Sequence, residues 1–119
     1  MSDANHEDCI FCRIVRGEFG TEFVAESEHN VAFADLHPQA PVHLLIVPRK
    51  HFDALRAAGQ ADADILSDAL ALATKAAEQR GLYAGGYRVI VNDGPDAGQT
   101  VPHLHFHVLG GSELRAGLG

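Results

Sequence analysis

A chain of 119 residues, 46% hydrophobic and 21% charged, is expected to form one soluble globular domain with a core large enough to need no disulfide staples. Its net charge of −7, with no basic cluster beyond Arg49-Lys50, argues against a nucleic-acid partner, because a phosphate-backbone binder is basic. No apolar run approaches the roughly 20 residues of a membrane span, and the acidic start MSDANHEDC is unlike a signal peptide, so the expected location is the cytoplasm.

Residues 1–8 are expected to be flexible, and residues 9–15, CIFCRIV, to form a short helical turn. Cys9 and Cys12 make a C-x-x-C pair, which in a reducing compartment reads as a metal half-site or a redox pair rather than a structural disulfide. Residues 21–26 and 30–36 read as two strands of a hairpin around the polar turn 27–29. Two prolines within residues 37–41 demand a loop. VHLLIV, residues 42–47, is the nearly continuous apolar run of a central strand, stopped by Pro48. A short helix is expected over 49–58, ended by Gly59. In the long helix, residues 62–80, Ile65, Leu66, Ala69, Leu70, Leu72, Ala73, Ala76 and Ala77 recur at helical spacing, with Gly81 as the stop. YRVIV, residues 87–91, is the next strand, and 92–95 a turn. Strands and helices mix without regular alternation, which predicts an α+β fold, an antiparallel sheet of about five strands with one long and one short helix, in a single domain over residues 1–119.

The densest chemistry lies at residues 98–109, GQTVPHLHFHVL. In an extended strand, His103, His105 and His107 share one face while Leu104, Phe106 and Val108 share the other. A neutral imidazole acts as nucleophile, general base or metal ligand, and its pKa of about 6.5 lets it change charge near neutral pH. Gly98 and Gln99 supply backbone N–H groups in a flexible turn and Thr100 a hydroxyl, donors suited to an anionic oxygen. Donors followed by nucleophile candidates point to phosphoryl or acyl chemistry; the plainer alternative is a solvated polar stripe.

HLHFHVL preceded by Gly98-Gln99-Thr100 resembles the signature of the histidine triad (HIT) family, His-x-His-x-His after Gly-Gln-Ser/Thr. CIFCRI, AFADLHPQAPVHLLIVPRKH, GYRVIVNDGPDAGQT and HVLGG extend the resemblance over nearly the whole chain, toward the nucleoside-phosphoramidase branch. It implies a HIT-like fold, a homodimer, and cleavage of P–N or acyl-phosphate bonds of purine nucleoside 5′-monophosphate derivatives through a nucleotidyl-histidine. By this resemblance His105 is the nucleophile, His107 serves phosphate oxygens or the leaving group, and His43 borders the triad. Asp35 accepts from both ribose hydroxyls, and Asn92 contacts the leaving-group side of the phosphate. Ile10, Phe11, Ile14, Phe33 and Leu36 line the base pocket, while Thr100 and the amides of Gly98 and Gln99 meet the phosphoryl oxygens. Plainer uses exist for each type: Asp35 and Asn92 as turn formers, the five apolar residues as core. Thr100 stands where the family commonly has serine, and the tail GGSELRAGLG lacks the tryptophan of many phosphoramidases, which bears on leaving-group preference.

Cys9, Cys12, His51 and His103 offer the four N/S ligands that tetrahedral zinc favours. Several bacterial members of the resembled family carry a structural zinc on such positions, which would commit His103 to the metal; the alternative is a reduced, metal-free pair. Rival functions on the same residues are a dinucleoside polyphosphate hydrolase, a nucleotidyl transferase, and a nucleotide-binding interaction module with vestigial activity.

Overall fold

Five strands form one sheet, β1 (Ala25–Glu26), β2 (Asn30–Ala34), β3 (Val42–Pro48), β4 (Tyr87–Val91) and β5 (Phe106–Gly110), in the order β1-β2-β3-β5-β4 with every pairing antiparallel. Among the described residues three α-helices accompany it, α1 (Ile10–Val15), α2 (Leu55–Ala61) and α3 (Ala63–Gln79), with one 3-10 turn at Pro95–Ala97. This computed structural model describes residues 7–115. The flexibility expected of residues 1–8 lies outside them except at Glu7 and Asp8, which form an exposed turn, and so does the end of the tail. No described helix is long and apolar enough to cross a membrane.

Strand alternation sorts the apolar side chains onto two faces. Ala32, Leu44, Ile46, Leu104, Phe106 and Val108 pack with Ile65, Leu72 and the buried alanines of α3, whose small side chains let the helix lie close to the sheet. Val31, Phe33, Leu45 and Val47 face the other way, onto Phe11 of α1. The second face holds the chemistry.

The observed α+β fold, with its antiparallel five-stranded sheet, is the expected one, but four boundaries differ. The strand expected over 21–26 pairs only at Ala25–Glu26, because the preceding stretch bends to cover the second face, where Phe23 packs on Phe33. The next strand stops at Ala34 rather than residue 36: the Asp35 carboxylate accepts from the His37 N–H (2.9 Å) and turns the chain. The short helix spans Leu55–Ala61, not 49–58, and Gly59 lies inside it; an interior glycine costs about 1 kcal/mol, which packing outweighs, and the stop is Asp62, extended at φ −158°. Finally, β5 begins only at Phe106, so of the three triad histidines only His107 is within it.

Asp68 of α3 ties the β1–β2 turn down: its Oδ2 accepts from Ser27 Oγ (2.5 Å), Asn30 Nδ2 (2.7 Å) and the His29 N–H (3.2 Å). Burial opposes its charged form, yet these hydrogen bonds together hold its pKa below the ordinary carboxylate value. Asp68→Ala would leave fully buried Asn30, whose Oδ1 has no partner among the described residues, with a second impaired group. We expect a loss of about 2–3 kcal/mol in urea unfolding; a loss within 0.5 kcal/mol would show the turn to be held otherwise.

Candidate active site and a cysteine–histidine cluster

A cavity of about 340 Å³ opens on the second face of the sheet, within the range of small-molecule sites. Its walls are Ile10, Phe11 and Ile14 of α1, Phe33 of β2, Leu36 and Leu45, with Asp35, Thr100, His105 and His107 at its polar side. All five residues expected around a base line it. Sequence reasoning missed Thr21, Ala34, His37, Leu45 and Val101. Thr21, Ala34, His37 and Val101 carried no signal, whereas Leu45 alternates with Leu44 and Ile46 and was assignable by period alone.

The imidazoles are locked in defined tautomers. His105, 7% exposed, sets Nδ1 at 2.8 Å from the carbonyl oxygen of His103. A carbonyl only accepts, so Nδ1 carries the proton and Nε2 keeps its lone pair. A second lock starts at the Gln39 N–H, which donates to His43 Nδ1 (3.0 Å). Neutral His43 therefore has its proton on Nε2, 2.9 Å from His107 Nδ1, and donates there. His107 is left with Nε2–H as its own donor. Asp35 Oδ2 lies 3.4 Å from His43 Nε2 and offers that proton a second acceptor. Phe11 meets His105 edge-on at 5.1 Å between centroids and fixes the ring's other flank.

Burial lowers the pKa of His43, partly offset by Asp35. His107 is pushed down to about 4, first by burial and then by repulsion from His105 and His43, with Asp35 opposing. An unfolded histidine titrates at about 6.5, so between that pH and about 4 the unfolded chain binds a proton that the folded chain refuses. The native state therefore loses stability as the pH falls through this window. We expect urea midpoints to drop from pH 7 to pH 4.5 and His107→Gln to flatten the drop; an unchanged slope in the variant would trace the drop to some other group.

The 94–101 loop differs from its expected role. The N–H groups of Gly98 and Gln99 donate to Pro95 O (3.0 Å) and Gly94 O (3.1 Å), and are spent inside the loop. The Gln99 side chain is structural too: Nε2 donates to Asp53 O (2.7 Å) and Val101 O (3.0 Å), and Oε1 accepts from the Gly94 N–H (2.8 Å). Thr100 lines the main cavity and a second, open one shared with Arg56 and Asp93. Asn92 follows β4 directly but is not among the residues lining the main cavity, and His43 lies behind His107 rather than in the wall.

Cys9, Cys12, His51 and His103 converge until their ligand atoms all lie within 4.8 Å of one another. Cys9 Sγ to His103 Nδ1 is 3.2 Å, Cys12 Sγ to His51 Nδ1 3.2 Å, and Cys12 Sγ to His103 Nδ1 3.5 Å. The edge of a tetrahedron around zinc with normal Zn–S and Zn–N bonds is about 3.5 Å. Behind the ring, His51 Nε2 is 2.8 Å from Asp53 Oδ1 and His103 Nε2 3.2 Å from Pro48 O. Both acceptors keep the proton on Nε2 and present bare Nδ1 to the thiols, the outer arrangement that metal-binding histidines use. The cluster can hold a metal ion. Asp35, His43 and His107 are similarly close, but there the Gln39 donor places the proton on His43 Nε2, the atom that would have to ligate. That second group is a chain of hydrogen bonds from Gln39 through His43 to His107.

The family described as "HIT domain" matches residues 16–114 of this chain. An uncharacterized HIT-like protein of Synechococcus elongatus is 43% identical over 108 residues, which cover 91% of this chain and 94% of that protein. Among solved structures, a HIT family hydrolase from Clostridium thermocellum superposes with TM-score 0.89 at 41% identity, over 94% of this chain and 97% of the other. A histidine triad nucleotide-binding protein from Candida albicans gives TM-score 0.77 at 31% identity, over 93% and 86% of the two chains.

Proposed function

Because this chain belongs to the HIT domain family, we propose that it is a nucleotide-binding hydrolase that cleaves purine nucleoside 5′-phosphoramidates or acyl-nucleotidylates through a nucleotidyl-histidine on His105. The observation that carries this reading is the His105 tautomer: Nδ1–H is fixed on His103 O, and the bare Nε2 belongs to a side chain in the cavity wall. Family relatives described as a hydrolase and as a nucleotide-binding protein support the same class.

In this reading the base lies between Ile10, Phe11, Ile14, Phe33 and Leu36, and Asp35 receives the ribose hydroxyls. The phosphorus sits over His105. Attack by Nε2 on phosphorus breaks the P–N or P–O bond and expels the amine or carboxylate, water then releases the monophosphate, and the two-step path replaces one difficult displacement. Thr100 and the Nε2–H of His107 donate to the oxygens on which charge grows. The His43 Nε2–H held on His107 Nδ1 keeps that Nε2–H of His107 aimed at the phosphoryl oxygens, while the departing group takes its proton from solvent, because a neutral imidazole N–H is too weak an acid to give one. Asn92 is assigned to the leaving-group side. Zinc held by Cys9, Cys12, His51 and His103 would serve as a cross-link between α1 and the β5 approach, and supplies no chemistry to the reaction. The protein is further proposed to act in the cytoplasm as a homodimer, without nucleic acid or membrane partners.

The test is release of AMP from an adenosine 5′-phosphoramidate compared with a diadenosine polyphosphate. Preference for the phosphoramidate supports the proposal. Preference for the polyphosphate would move the enzyme to the dinucleotide class, and tight AMP binding without turnover of either would make it a binding module.

A further inference from the structure

The two cysteines belong to the metal-competent cluster and to the cavity at once. Cys9 is the N-cap of α1, its Sγ accepting from the Cys12 N–H at 3.4 Å, and Cys12 lies one turn on. The residues between them, Ile10 and Phe11, are cavity walls. The Phe11 ring also stands edge-on to His103 of the cluster (5.8 Å between centroids) and to His105 (5.1 Å). From the cluster, two more links reach the site: the His103 carbonyl that fixes the His105 tautomer, and Asp53. Its carboxylate holds His51 while its carbonyl holds Gln99, beside Thr100.

We propose that Cys9 and Cys12 are a redox-modification site, and that closing them into a disulfide weakens nucleotide binding in the adjoining cavity. This rests on the nucleotide reading above. The thiols are near neighbours, within 4.8 Å, and Cys9 is partly exposed while Cys12 is buried, so an oxidant meets Cys9 first. A Cys9 thiolate attacks hydrogen peroxide, breaking the O–O bond to give a sulfenic acid and water. Cys12 then attacks that sulfur, the Sγ–Sγ bond forms, and a second water leaves. In sum two thiols lose two electrons and two protons and one peroxide becomes two waters. Where the pair is held as thiolates on an ion, solvent supplies the protons and the ion is released.

Geometry couples this chemistry to the cavity. A disulfide brings its two sulfurs to about 2.05 Å, which draws Cys9 Sγ and Cys12 Sγ off the His103 and His51 Nδ1 atoms they now face at 3.2–3.5 Å. Ile10 and Phe11 are the two residues between the cysteines and shift with that rearrangement. A moved Phe11 ring leaves the base wall and the flank of His105 together.

The experiment treats the full chain, as purified, with hydrogen peroxide and then with dithiothreitol plus zinc, following protein mass, ion release to a chromogenic chelator, and AMP affinity by calorimetry. The expected result is loss of two hydrogens in mass, AMP affinity lower by on the order of tenfold, and recovery on reduction. In Cys9→Ser, affinity should stay at its own starting value after peroxide. A disulfide that leaves AMP affinity within twofold overturns the proposal, as does peroxide that adds oxygen to the thiols without joining them. If the untreated chain binds no AMP, the nucleotide reading itself fails, which is visible before any oxidant is added.

Discussion

His105→Asn is expected to lower phosphoramidate turnover by at least about 10⁴-fold, about 5.5 kcal/mol of transition-state stabilisation, while AMP affinity changes by no more than a few-fold. Asparagine suits the test because its side-chain amide can keep donating to His103 O, as Nδ1 does, while nothing replaces Nε2. The buried ring neither opens a large cavity nor orphans its partner when exchanged in this way. His107→Asn removes only a hydrogen-bond donor to the phosphoryl oxygens and should cost about 10²-fold, the usual scale for losing one such donor. The two variants therefore separate by two orders of magnitude or more in single-turnover assays. If His105→Asn retains more than about 1% of the rate, the attacking group lies elsewhere. If instead it loses AMP affinity in parallel with rate, the ring is a wall of the site rather than its nucleophile.

Removing the ion from a zinc-loaded sample with a strong chelator is expected to lower the melting midpoint by about 10–25 °C. The cluster ties α1 to the segment after β3 and the approach to β5, two stretches already linked by the Leu104 N–H donating to Phe52 O (2.7 Å). An ion present at a thousand times its Kd stabilises the native state by about 4 kcal/mol, and for a domain of this size each kcal/mol shifts the midpoint by about 3–6 °C. Cys12→Ala should reproduce the shift and make the protein insensitive to chelator. Asp53→Ala, which frees the His51 ring without touching a ligand atom, should cost about 10- to 100-fold in metal affinity. A protein that purifies without metal and whose midpoint ignores added zinc would remove the ion from this picture.

What the sequence carried was mostly the alternation. The apolar residues between the histidines, Leu104, Phe106 and Val108, lie on the α3 side of the sheet as period two requires, and the alanines of the long helix meet them there. The same rule placed the three histidines on one face, but not their separate tasks. His103 turns into the cysteine cluster, His105 into the cavity wall, and His107 onto His43, because the strand starts after the first two and leaves their backbone free to bend. The loop before them shows the opposite failure. Gly98 and Gln99 have the composition of an anion cradle, yet their N–H groups close the loop on itself; composition reports donors, not where they point. Gly59 misled for a similar reason, since its backbone freedom is a cost in a helix and not a veto. The tautomers were beyond reach, depending as they do on single carbonyl and N–H groups that any residue would supply.

Mutational mapping meets the same blind spot. The orientation of His43, and through it of His107, begins at the main-chain amide of Gln39, whose own side chain points back to the His37 carbonyl. An alanine scan changes side chains and leaves every such amide in place, so position 39 would register as silent in a scan that flags His43 and His107. Sequence drift there is equally silent, with proline the single natural replacement that withdraws the hydrogen. Replacing the amide by an ester at the 38–39 linkage, by chemical ligation, is the substitution that reaches it.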